Sequence, residues 1–172
     1  DPDRPIVDPH HHLWDRGGLR YLIEEISDDV TSGHNIVATV YVEARSMYRN
    51  YGPDAFRPVG EGEFVNGVAA MAASGAYGKT LIAHGIVGHT NLLLGDGAKA
   101  VLEAEIAAGN GRFRGIRHSS PWDGDKSVAG IYAERLKGLL LDSTFRKGFA
   151  CLAPLGLSFD GWLFFHQLGE FA

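Results

Sequence analysis

The sequence is poor in cysteine and has neither a long apolar run nor an excess of basic residues. Its single cysteine, Cys151, excludes a disulfide framework within the chain and fits a reducing compartment, so we expect a cytoplasmic protein. No stretch approaches the roughly 20 apolar residues of a membrane-spanning helix, which argues against a membrane partner. Lysine and arginine number 16 against 21 acidic residues, a net charge of −5, which argues against a nucleic-acid partner.

What remains is the composition of one folded domain. The chain has 172 residues, of which 45% are hydrophobic, enough for a sizeable core, and we assign residues 1–172 to one domain. Apolar runs rich in β-branched residues alternate with segments of helical periodicity. The patterns predict strands at 5–9, 35–44, 80–88, 113–118 and 156–165, and helices at 19–30, 64–77, 96–108 and 142–153.

This alternation predicts an α/β fold with a parallel sheet and helices outside it. An open doubly wound sheet and a (β/α)₈ barrel are the two candidates. The first strand–helix turn has no Gly-x-Gly-x-x-Gly, which removes the main support for a dinucleotide-binding sheet. A barrel usually needs about 250 residues for its eight units, and this chain offers roughly five. For a barrel, the five strands should be parallel and adjacent in sequence order.

Three consecutive histidines follow the first predicted strand. Because side chains alternate along a strand, Asp8, His10 and His12 should share one side and His11 the other. Two imidazoles at i and i+2 can reach one metal ion, and nitrogen ligands suit Zn²⁺, Fe²⁺ or Mn²⁺. A solvated loop explains this spacing equally well. A fragment of a purification tag is a weaker interpretation.

Residues 8–15, DPHHHLWD, resemble the D-x-H-x-H-L-W signature of the amidohydrolase superfamily. More narrowly, they resemble the amidohydrolase 2 branch of TIM-barrel metal-dependent hydrolases. That branch includes fuconolactonase-like and pyrone-dicarboxylate-lactonase-like enzymes, with zinc decarboxylases as relatives. Further segments are similar in family order: VATVYVEA at 37–44, AHGIVGHTNL at 83–92, FRGIRH at 113–118 and LGLSFDGWLF at 155–164.

The resemblance implies a (β/α)₈ TIM-barrel type of which roughly the first five βα units are present, incomplete at the C-terminus. His10 and His12 would bind a divalent metal ion, Zn²⁺ foremost, with Mn²⁺ or no metal as alternatives, and Asp8 would orient a histidine ligand by a hydrogen bond. The implied reaction is the opening of a lactone or related cyclic ester of a small carboxylated substrate. The alternatives are non-oxidative decarboxylation on the same scaffold and a catalytically inactive truncated fragment.

The family pattern continues to a further histidine and a late aspartate, for which we find no counterpart up to Ala172. We therefore leave the catalytic residues unassigned, place the general base beyond Ala172, and expect little or no lactonase activity from these 172 residues alone. His166 is not assigned a role, because an ungapped match aligns Phe165 with the family histidine. A half-barrel would expose sheet edges, which makes a homo-oligomer an option.

Polar residues near the carboxyl ends of the strands should line the mouth of such a barrel. Glu43 should lie there on one face with Thr39 and Tyr41, although a structural ion pair is an equal alternative. Either Arg117 or His118 should point inward, and an arginine there would suit an anionic, carboxylated substrate. The loop 45–58 could form a basic lid, but an ordinary exposed loop is favoured. The predicted pocket comprises Glu43, His89, Arg117, His118, Asp160 and Trp162.

Overall fold

A five-stranded parallel sheet forms the centre of the computed structural model, which describes residues 3–130 and 136–172. Its strands lie in the order β1-β4-β5-β6-β7, and all four neighbouring pairs are parallel. The predicted order of sequential parallel neighbours is confirmed. The strands are β1 (Ile6–His11), β4 (Ile36–Val42), β5 (Leu81–Gly88), β6 (Phe113–Arg117) and β7 (Ser158–Asp160).

Helices lie in the segments that connect and follow the strands of this sheet. They are α1 (Ile23–Val30), α2 (Val59–Ala73), α3 (Ala98–Ala108), α4 (Lys126–Ala129), α5 (Ser143–Phe149) and α6 (Leu168–Phe171). Among the described residues, no helix has the length and apolar character needed to cross a bilayer. The parallel sheet with helices against it fits the α/β TIM-barrel-like fold class.

The predicted helix 19–30 is wrong in its first part. Strands β2 (Trp14–Arg16) and β3 (Leu19–Tyr21) form an antiparallel hairpin, and α1 begins only at Ile23. Gly17 and Gly18 form the two-residue turn with φ of 58° and 80°. Such a turn needs positive φ at both positions, which glycine adopts without strain.

Other predicted boundaries shift where short turns replace regular structure. Helix α2 starts five residues before the predicted 64–77, and α3 follows a 3₁₀ segment at Leu92–Gly97. The predicted helix 142–153 ends at Phe149, and the fifth strand is only Ser158–Asp160. Beyond this strand the chain is irregular but stays beside the segment after β6, where Ser120 N–H donates to the Trp162 carbonyl at 3.0 Å.

The main core lies between the sheet and the helices, and it corrects the predicted facing of β4. Tyr41 is fully buried on the helix side, where its hydroxyl donates to Glu61 of α2 at 2.7 Å. Thr39 is also fully buried and accepts from the Ala83 amide at 2.9 Å, whereas we expected both side chains to face the barrel interior. A strand covered on both faces carries apolar residues on each, so alternation alone could not assign its faces.

Candidate metal-binding and substrate site

His10 and His12 converge at the carboxyl end of β1. Their Nε2 atoms are 3.2 Å apart and their rings are perpendicular, with centroids separated by 4.9 Å. Two nitrogen ligands of a tetrahedral Zn²⁺, each bound at about 2.05 Å, would lie about 3.3 Å from each other. The separation of the two nitrogens therefore fits a chelate around one ion.

The position of the His12 ring is fixed on two sides. Its Nδ1–H donates to the Val42 carbonyl at 2.7 Å, which leaves the lone pair of Nε2 directed towards His10. Trp14 of β2 stacks on the ring, with centroids 5.4 Å apart and an interplanar angle of 26°. Burial lowers the pKa of His12, and the nearby positive charge of Arg117 acts in the same direction. The neutral imidazole, which is the form that binds metals, is thus favoured.

His11 lies on the other face of β1, away from the histidine pair. Its Nε2 is 2.9 Å from the Thr39 hydroxyl, its ring packs edge-on against Tyr41, and burial lowers its pKa to about 4. Asp8 does not contact a histidine ring as we expected. Its Oδ1 accepts from the backbone N–H of His10 at 3.1 Å, within the part of β1 where the pairing with β4 is irregular. Asp8 therefore holds the main chain of His10 rather than an imidazole.

Glu43 and Arg117 form an ion pair beside His12. The Nε of Arg117 donates to Glu43 Oε1 at 2.9 Å, and its Nη2 donates to the Glu43 carbonyl at 2.6 Å. Arg117 also lies over the Trp162 ring at 5.8 Å, and Asp160 is its register partner on β7. Of the two alternatives for Glu43, the structure shows the ion pair, which also means that Arg117 already has a carboxylate partner.

His89 and His118 occupy different surroundings, although their ring centroids are 5.2 Å apart. His89 Nδ1–H donates to the Arg117 carbonyl at 3.0 Å, and its side chain lines an open pocket. His118 is buried against Phe145 of α5 and accepts from the Leu92 amide at 3.3 Å. Of the two alternatives, Arg117 takes the inward position and His118 packs towards the helices, and a role of His118 in the pocket stays a prediction.

Glu61 is a buried residue of the site region that the sequence analysis missed. One carboxylate oxygen, Oε1, accepts from the Tyr41 hydroxyl at 2.7 Å and from the amides of Ala44 and Ser46 at 2.9 and 2.8 Å. Burial raises the pKa of Glu61, and these three hydrogen bonds oppose that shift. Nothing in its spacing marked it, because a glutamate in a first helical turn ordinarily faces solvent.

The histidine pair stands without a third protein ligand among residues 3–130 and 136–172. No group of three or more histidine, cysteine, aspartate or glutamate side chains in these ranges is placed to hold one ion. His166 lies apart from the pair, with its Nε2 3.1 Å from the Trp122 carbonyl. The described part of the chain therefore offers two nitrogen ligands, His10 and His12.

The sequence matches a known family over almost its whole length. Residues 7–171 match the family described as Amidohydrolase, and the chain belongs to this family. It is 29% identical over 191 aligned positions to a Sinorhizobium fredii protein named "Uncharacterized protein y4mH", an alignment that covers 98% of this chain and 57% of that relative. The chain thus spans little more than half the length of the relative. No solved structure matches it at a significant level.

Proposed function

We propose that this protein is a metal-dependent hydrolase that opens a lactone or related cyclic ester of a small carboxylated substrate. The observation that carries the proposal is the pair of Nε2 atoms of His10 and His12, 3.2 Å apart at the carboxyl end of the first barrel-type strand. Membership of the amidohydrolase family supports hydrolysis as the reaction class. In a sheet of this type the carboxyl ends of the strands are where active sites form.

The metal that fits best is Zn²⁺, with Mn²⁺ as the alternative, because both nitrogens come from imidazoles. When bound, such an ion polarises a carbonyl and lowers the pKa of a bound water towards about 7. His10 and His12 would hold it through their Nε2 atoms. The Val42 carbonyl fixes the tautomer of His12, and Trp14 covers one face of its ring, which limits access of bulk water from that side.

A catalytic zinc normally has three protein ligands, and the described residues supply two. We propose that the third ligand and the general base come from sequence corresponding to the remaining length of the longer S. fredii relative. The 172-residue chain alone should then turn over slowly, since loss of a general base commonly costs about 10²- to 10⁴-fold in rate.

The test is a hydrolysis assay with added Zn²⁺ or Mn²⁺ on five- and six-membered lactones that carry a carboxylate. The 172-residue chain is compared with a version extended to the relative's full length. Each is tested with matched His10→Ala and His12→Ala variants, and His34→Ala, at an exposed loop histidine, is the control. We expect hydrolysis in the longer protein that depends on both histidines and is unchanged by loss of His34. Release of CO₂ from aromatic carboxylates without ester hydrolysis would contradict the proposal in favour of decarboxylation. Fast turnover by the 172-residue chain that disappears in His10→Ala would contradict the missing-base argument.

A further inference from the structure

The open pocket lined by His89 lies at the carboxyl ends of β4 and β5. Its lining includes Arg45 and Arg57 from the loop after β4 and His89, Asn91 and Leu94 from the segment after β5. Its volume is about 550 Å³, within the range of sites for small ligands. The lining combines two arginines and hydrogen-bonding groups with one carboxylate, Asp54, and with apolar side chains, so that its cationic groups outnumber its anionic one. Such a lining suits a small polar ligand that carries negative charge.

This pocket adjoins the histidine pair through a short chain of contacts. His89, which lines the pocket, donates to the Arg117 carbonyl at 3.0 Å, and Arg117 in turn donates to Glu43 at 2.9 Å. His12 in turn donates its Nδ1–H to the carbonyl of Val42, the residue before Glu43. A ligand bound between Arg45 and His89 would therefore lie at the same, carboxyl end of the sheet as the two imidazoles.

The arginines of the pocket differ from Arg117 in how fully their charge is compensated. Arg117 is matched by the buried Glu43 carboxylate, so its charge is already compensated. Arg57 lies 3.6 Å from Asp54, whose side chain is 95% exposed, and such exposed pairs are weak. Within the described ranges no carboxylate pairs with the Arg45 guanidinium. The pocket thus keeps a positive charge that a ligand can use.

The backbone at Arg45 is held in a conformation that a non-glycine residue rarely adopts. Arg45 has a φ of 56° and Met47 a φ of 54°, and such left-handed residues persist where the surrounding structure imposes them. Glu61 Oε1 binds the amides of Ala44 and Ser46, one on each side of Arg45. Strained residues of this kind concentrate at functional sites, and the backbone strain at Arg45 is therefore consistent with a ligand-binding role for its side chain.

We propose that Arg45 and Arg57, with His89 and Asn91, bind a carboxylate of the substrate and that Glu61 positions Arg45 for this contact. The assignment rests on the proposed function, because it names where the carboxylate of the cyclic ester is held. A guanidinium presents parallel N–H donors that match the two oxygens of a carboxylate. Arg45 is the principal ligand, since Arg57 shares its charge with Asp54 and already donates its Nε–H to the Arg49 carbonyl at 2.8 Å.

The test is calorimetric titration of the metal-free chain with succinate, with inorganic phosphate as a parallel arm. We expect the affinity for succinate to fall about tenfold or more in Arg45→Gln, which is the effect of losing one charge-assisted hydrogen bond. The loss in Arg57→Gln should be smaller. Arg114→Gln is the matched control, because this exposed arginine on β6 donates to the Gly111 carbonyl. Equal succinate affinity in wild type and Arg45→Gln would overturn the proposal, as would tighter Arg45-dependent binding of phosphate than of succinate.

A double His10→Ala/His12→Ala variant separates this inference from the proposed function. It should lose any metal-dependent hydrolysis and keep succinate binding, so failure of the histidine site leaves the carboxylate site standing. The positioning role of Glu61 has its own test with two variants. Glu61→Gln keeps the acceptor Oε1 and should bind succinate within about threefold of wild type, whereas the shorter Glu61→Asp should bind about tenfold more weakly. Wild-type affinity in Glu61→Asp would refute that role.

Discussion

The Arg117 guanidinium and the Glu43 carboxylate form a buried ion pair that spans the end of β5, with Nε and Oε1 2.9 Å apart. The two side chains are only 12% and 6% exposed. The pair joins the end of β6 to the residue after β4, while the Glu43 amide donates to the Val87 carbonyl of β5 at 2.8 Å. Three strand ends are thereby fixed beside the histidine pair.

Removing the negative charge of Glu43 should destabilise the fold. In Glu43→Gln the Arg117 guanidinium stays buried without a counter-charge, which we expect to lower the free energy of unfolding by about 3 kcal/mol. Urea denaturation measures this change. The matched control is Glu63→Gln, because Glu63 pairs with Arg49 at the surface and should contribute less than about 1 kcal/mol. Equal losses in both variants would contradict the importance of the buried pair.

Glu105 should make stability depend on pH. Glu105 is fully buried in α3 and has no hydrogen-bond partner among the described residues. Burial raises its pKa from 4.5 to about 8; the negative charges of Glu61 and Glu63 also raise this pKa, and the positive charge of Arg49 lowers it. The folded state keeps a proton that the unfolded state releases, so stability should fall as pH rises from about 4.5 to about 8, by up to about 1.4 kcal/mol per pH unit.

The neutral variant Glu105→Gln tests this dependence. It should flatten the decline of the melting temperature between pH 5 and pH 8, the window in which the folded and unfolded carboxyl differ in protonation. The comparison is made between wild type and variant across that window. A wild-type slope identical to that of the variant would show that Glu105 does not titrate differently in the folded state.

Gly60 should be required by the close approach of α2 to the loop after β4. A Cβ at this position would lie 2.7 Å from both Arg49 N and Met47 O, so Gly60→Ala must displace backbone and should cost about 1–3 kcal/mol. Gly67→Ala on the same helix is the control, since its Cβ would meet nothing within 4 Å. It should stabilise the helix by up to about 1 kcal/mol. Thermal unfolding compares the two, and similar shifts would refute the predicted close contact.

The order of the five strands could be predicted because each is a short, β-branched apolar run between helical patterns. The convergence of His10 and His12 follows from their spacing of two along a strand. The hairpin before α1 was missed because Leu19 and Leu22 continue the helical spacing, while the turn depends on Gly17 and Gly18.

Tertiary partners decide what periodicity leaves open. Tyr41 faces the helices because Glu61 accepts its hydroxyl hydrogen bond, and His118 faces them because the Leu92 amide needs an acceptor. These partners are 20 and 26 residues away in the chain. No local pattern encodes such a pairing, so the polar groups behind the site became visible only in the structure.

The tautomer of His12 gives a direct check of the site geometry. The Val42 carbonyl can only accept, so the His12 proton should reside on Nδ1 and Nε2 should carry the lone pair. NMR of the imidazole nitrogens at neutral pH distinguishes the two tautomers, and exposed His34 provides the comparison in the same sample. A proton on Nε2 of His12 would mean that this nitrogen is not prepared to bind a metal.

Titration of the metal-free chain with Zn²⁺ by calorimetry tests the central claim most directly. The account predicts one ion per chain, with affinity reduced more than about tenfold in His10→Ala and in His12→Ala and unchanged in His34→Ala. Affinity should also fall as pH drops below neutrality, because the ligands must be neutral. Retention of wild-type Zn²⁺ affinity in the double His10→Ala/His12→Ala variant would contradict the assignment of these two histidines as the metal ligands.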